Sequence, residues 1–241
     1  MAQTMTNPLY EGATIIVPLI FAIVFHEVAH GAVAWMLGDP TASQRGRLSL
    51  NPLRHVDPFG TIILPGLLAL VHAPVFGWAK PVPVDYNRLG HPKRDMALVG
   101  AAGPMSNFIL AALSAIAIGL IARSVGPDAK PGLGLTFLLD NLDNFILFNC
   151  FLGMFNLLPL PPFDGSRILR GFLPWPAARL LDRIEPYGII VFALVFIVVP
   201  QVFPALHLVD RFLLPPVGWL LQQLAALSSV VAGPVGTVSG A

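Results

Sequence analysis

His26-Glu27-Val28-Ala29-His30 lies inside an apolar run from Ala13 to Leu37. On a helix, HExxH sets two imidazoles four residues apart on one face, where both reach a single zinc ion, with the Glu beside them as a candidate general base. The run is long enough to cross a bilayer. Ionisable side chains at that depth are costly and mark functional sites. The combination points to zinc-dependent hydrolysis inside a membrane.

The rest of the chain agrees with a lipid setting. Of 241 residues, 55% are hydrophobic and 11% charged, against about 25% charged in an average soluble domain. Mean hydropathy is +0.74. The net charge of +1 and the absence of a large basic block give no support for a nucleic-acid partner. The single cysteine, Cys150, excludes an intrachain disulfide and a cysteine zinc site. It sits in an apolar run and reads as a packed thiol. Met1 to Gly12 holds no Lys or Arg, so the first apolar segment is expected to be a retained signal anchor.

Besides the first run, five segments lack Asp, Glu, Lys and Arg: Pro58–Ala79, Met96–Ala122, Asn144–Phe163, Pro186–Leu206 and Phe212–Ala241. Helices are expected to cross at roughly 13–37, 96–122, 137–158 and 187–206. Pro58–Ala79, with Pro65, His72 and Pro74, and Phe212–Ala241, with Pro215, Pro216, Gln222 and Gln223, are ambiguous. The fold class is therefore an all-α polytopic membrane protein with about five to six transmembrane helices. Residues 1–206 read as its core and 207–241 as a C-terminal apolar segment with a Gly/Ser tail.

Loop charges orient the chain. Arg45, Arg47 and Arg54 lie in 38–57; Lys80, Arg88, Lys93 and Arg94 in 80–95; Arg167, Arg170, Arg179 and Arg183 in 164–185. These loops read as cytoplasmic, and 123–143, with Asp128, Asp140 and Asp143, as the far side. If 38–57 and 80–95 share a face, the apolar segment between them dips in and returns. Its Gly/Pro-rich end, Phe76-Gly77-Trp78-Ala79-Lys80-Pro81-Val82-Pro83-Val84, reads as a re-entrant β-like segment near the site, with an edge for an extended substrate. The alternative is an ordinary span over 59–75.

A catalytic zinc site usually has three protein ligands and an open position. Asp164, after Asn156-Leu157-Leu158-Pro159-Leu160-Pro161-Pro162-Phe163 and before Gly165, is the candidate third ligand, at matching depth. Its bland reading is a helix cap or a partner of Arg167. Asn156 is a candidate oxyanion donor, or an interhelical hydrogen bond. Gly103-Pro104-Met105-Ser106-Asn107 forms a second polar island, read as close packing or as a substrate contact through Asn107. His55, His91 and His207 read as solvated; His72 reads as a cavity or interfacial histidine.

Together HEVAH, the Gly103–Asn107 island and Asn156-Leu157-Leu158-Pro159…Asp164-Gly165 resemble the site-2 protease family of intramembrane zinc metalloproteases, over about 13–206. Asn51-Pro52-Leu53-Arg54-His55-Val56-Asp57-Pro58-Phe59-Gly60 and the Phe76–Val84 stretch resemble its compact branch without a PDZ domain. The resemblance implies one Zn2+ per chain on His26, His30 and Asp164, Glu27 as base, and Asn156 assisting substrate binding or oxyanion stabilisation. Asn107, Gly77 and Trp78 are the candidate substrate contacts. It further implies transmembrane-helix proteins as substrates and a prokaryotic inner-membrane location with the site nearer the cytoplasmic face. The rival class is an ion or metal transporter using the same intramembrane His, Glu and Asp.

Overall fold

The structure is a computed structural model that describes residues 7–70, 77–125, 131–207 and 209–233. Its long helices are α1 (Pro8–Met36), α2 (Pro92–Val125), α3 (Leu133–Asn156), the short α4 (Asp164–Phe172), the composite α5 (Trp175–Val202) and α6 (Val209–Ala232). All but α4 are long and apolar enough to cross a membrane, giving five candidate spans. With these spans the chain is a multi-pass membrane protein. No strand occurs among the described residues; the expected β-like segment is extended chain without ladder pairing.

Local chemistry sets the helix ends. Asn7 caps α1 by accepting from the Leu9 amide at 3.0 Å, with Pro8 at the first helical position. At the other end Gly38 adopts φ +105° and Asp39 N–H donates back to the Ala34 carbonyl at 2.9 Å, a glycine-terminated stop. Pro18 and Pro104 sit inside α1 and α2, where lipid-embedded helices tolerate them.

Helix α2 is the central element and packs on α1, α3, α4 and α6. α1 and α3 run parallel: Tyr10 Oη donates to Asp140 at 2.6 Å, and Asn144 donates to the Thr14 carbonyl at 2.9 Å. α2 runs against them, with Asn107 beside Ala22 and Val99 beside His30. α6 runs with α2, because a Cβ on Gly119, late in α2, would meet the Ser228 carbonyl and Val231 at the end of α6. Residues 207–241, set apart in the sequence, thus contribute a helix packed into the bundle. Its Leu213, Val217 and Leu224 share a core with Ala111, Ala115 and the buried Cys150.

Two stretches leave and rejoin the same end of this bundle. Residues 157–207, charged over 164–185, link the end of α3 to the start of α6, so α5 has the length and composition of a span without carrying the chain to the other end. The other stretch follows α1: Pro58–Ile63 and Leu64–Leu70 are helical, and Trp78 N–H then donates to the Gly60 carbonyl at 3.1 Å. The two ends of this stretch therefore meet at Gly60 and Trp78. Residues 71–76, and with them His72, lie outside the described residues. His55 corrects an expectation: it is 2% exposed, not solvated, and its Nε2 faces the Ser49 carbonyl.

Candidate metal centre

Three elements build the site. His26 and His30 come from α1, one turn apart. Pro159, Pro161 and Pro162 end α3, and Asp164 opens α4 directly below it. Gly165 permits the tight junction, since a Cβ there would lie 2.3 Å from the carbonyl oxygens of Leu157 and Leu158. α2 forms the wall. A Cβ on Gly103 would stand 2.5 Å from His30 Nε2 and 2.6 Å from His26 Nε2, so this helix can touch the imidazoles only through glycine.

The three residues are each 5% exposed. His26 Nε2 lies 3.0 Å from Asp164 Oδ2, His30 Nε2 3.2 Å from the same oxygen, and the two Nε2 atoms 3.1 Å apart. The rings meet at 87°. The second carboxylate oxygen of Asp164 is 3.4 Å from Arg167 Nη1.

The outer partners fix where the ring protons sit. His30 Nδ1 lies 2.6 Å from the Val99 carbonyl, which only accepts, so Nδ1 carries the hydrogen. His26 Nδ1 lies 2.6 Å from Asn107 Oδ1. That amide cannot be turned round. Its nitrogen donates to Asn149 Oδ1 at 2.7 Å and to the Ala22 carbonyl at 3.3 Å, and Asn149 in turn donates to the Phe145 carbonyl at 2.7 Å. The chain ends on backbone acceptors, which settles both amides and makes His26 Nδ1 a donor as well. With Nδ1 protonated, each ring in its neutral form presents an Nε2 lone pair to the other and to the Asp164 carboxylate. The three atoms are then the donor set of a cation site with its outer shell in place. Zinc with N/O ligands at about 2.0–2.1 Å has tetrahedral ligand–ligand edges of about 3.3 Å. The observed triangle fits it.

The remaining candidates are dispersed. Glu27 is half-buried, and its Oε2 accepts the Val82 amide at 2.8 Å. Asn156 ends α3 and donates to its own Leu152 carbonyl at 3.0 Å. Asn107 departs from the expected substrate contact: it is 0% exposed, and both its amide nitrogen and its oxygen are engaged as described, so it positions His26 instead. Gly77 is exposed, and Trp78 covers Gly60.

Three contributors escaped the sequence reading: Asn149, the Val99 carbonyl and the wall role of Gly103. For Asn149 a weak signal existed, an amide in an apolar span at the level of Asn107. A backbone carbonyl carries no signal at all.

A model of peptidase family M50 matches residues 135–200. A Bacillus subtilis protein named "Putative zinc metalloprotease YwhC" is 39% identical over 201 residues, covering 82% of this chain and 86% of its own. Proteins of the same printed description called Rip2 match from Mycobacterium tuberculosis, at 30% identity over 96% of this chain and 85% of theirs, and from Mycolicibacterium smegmatis, at 28% over 96% and 82%. No solved structure matches.

Proposed function

Because the chain belongs to peptidase family M50, the site-2 protease family, we propose that it is a zinc-dependent intramembrane protease that hydrolyses peptide bonds within or near transmembrane helices of membrane proteins. The observation that carries this reading is the buried triangle of His26 Nε2, His30 Nε2 and Asp164 Oδ2, with Glu27 in the same helical turn. These three residues hold one Zn2+ per chain, which when bound supplies Lewis acidity and makes water nucleophilic near neutral pH.

The chain's own groups do the rest. Glu27 takes a proton from the attacking water and returns it to the leaving amine. Asn156, released from the Leu152 carbonyl, donates to the developing oxyanion. Residues 77–84 lie beside the base, and Gly77 and Trp78 sit where an unwound substrate segment would enter. His30 is six residues from the end of α1, about 9 Å along the axis. Arg45, Arg47, Lys80 and Arg88 lie in the loops beyond that end, and the excess of Lys and Arg in cytoplasmic loops supports a site nearer the cytoplasmic face of a prokaryotic inner membrane. Residues 1–206 carry the catalytic core, braced by α6.

The test is cleavage of a membrane-spanning reporter in proteoliposomes, with ion flux followed in parallel. The wild type cleaves and passes no ions. Glu27→Gln keeps zinc and the fold and loses cleavage to background. Ion flux without cleavage transfers the site to the transporter class, and wild-type cleavage by Glu27→Gln removes the base.

A further inference from the structure

Glu27 and Gly31 are four residues apart and share a face of α1, next to the face that carries His26 and His30. Residues 77–84 cross this second face. Glycine is required at 31, since a Cβ there would stand 2.8 Å from Val82 Cγ1 and 2.7 Å from Leu48 Cδ2. Val82 is 8% exposed, and its amide donates to Glu27 Oε2 at 2.8 Å. Pro81-Val82-Pro83 contains one backbone N–H, because proline has none. That single donor is the one aimed at Glu27. The flanking prolines also hold the backbone extended.

The strap is anchored without help from Glu27. Thr61 Oγ1 donates to the Trp78 carbonyl at 2.8 Å, and Lys80 N–H donates to the His55 carbonyl at 2.8 Å. The buried Arg47 donates to the Lys80 carbonyl at 2.6 Å, and the Asp85 amide donates to Asp39 Oδ2 at 2.6 Å. A donor delivered by an element tied on both sides is preorganised.

We propose that the Val82 backbone amide is the positioning donor of Glu27: it holds Oε2 and leaves Oε1 to exchange the proton with water and the leaving amine. A charge-assisted bond of this kind fixes direction as well as adding energy. The proposal rests on the base role of Glu27, and its test is separable from that role.

Val82→Pro removes the hydrogen while keeping the extended backbone; Val82→Ala keeps the hydrogen and trims the side chain. Val82→Pro lowers kcat by about 100-fold, the cost of a misplaced reacting group, with KM and zinc content unchanged. Val82→Ala, which keeps the amide, loses far less turnover than Val82→Pro. The second measurement needs no activity. Amide exchange across 81–83 reports Val82 alone, and Glu27→Ala accelerates it by about 10-fold or more. Equal turnover of the Pro and Ala variants, or exchange indifferent to Glu27, overturns the proposal. A wild type that cuts nothing overturns the proteolytic reading instead, while the exchange experiment still decides the contact.

Discussion

The two working faces of α1 are held in opposite ways. The face of His26 and His30 is over-determined: each ring is fixed through Nδ1 by acceptors that trace back to backbone carbonyls of α1, α2 and α3, and Gly103 presses α2 against both rings. The face of Glu27 carries one observed bond, from a strap outside the helix bundle. Ligands must keep one geometry whatever the substrate does, so redundancy suits them. For Glu27, the proposed base, one oxygen held and one free suits a group that accepts and releases a proton.

This contrast breaks first at Asp164. Asp164→Asn removes a ligand, so zinc affinity falls by more than the roughly 100-fold upper range for outer-shell partners, measured by competition with a chelator. The Val82 amide exchange stays as in the wild type, because the other face is untouched. Gly103→Ala comes next. Its new methyl overlaps both Nε2 atoms, and overpacking of that kind costs about 1–3 kcal/mol; thermal melting in detergent and zinc content fall together. Asn107→Leu removes only the partner of His26 Nδ1 and lowers zinc affinity by about 10–100-fold. Asn149→Leu costs less and adds little on top of Asn107→Leu, since it acts through that amide.

The smallest effect sharpens the strap side. Burial pushes the Asp39 carboxyl up, yet the Thr41 hydroxyl, the amides of Asp85 and Thr41 and the charge of Arg88 outweigh it and hold it below the ordinary carboxylate range. A lowered folded value means that its contribution is complete above the unfolded value of about 3.9 and is lost as pH falls through the folded one. The Tm difference between wild type and Asp39→Asn is therefore constant from pH 8 to 5 and shrinks only in more acid solution.

Much of this was legible in one dimension. The spans followed from runs without charge, and HEVAH and Asp164-Gly165 were readable as motif and spacing because helical periodicity and proline chemistry are local. Loop charges posed the question of residues 59–79; the hydrogen bond between Trp78 and Gly60, invisible in the sequence, brings the two ends of that stretch together. Asn107 was visible as a polar group in lipid, but its partner was not, since an amide serves substrate or ligand equally until its neighbours are known. His55 was misjudged because loop position was taken for exposure.

The sequence by itself determined that this chain lives in lipid and carries a zinc-binding motif within it, since hydropathy and the i, i+4 spacing are properties of contiguous residues. Only the tertiary structure decided which carboxylate faces the imidazoles, which ring nitrogens face acceptors and which amide reaches Glu27. Those depend on directions and separations of a few ångströms between residues up to 138 positions apart, and no local pattern encodes them.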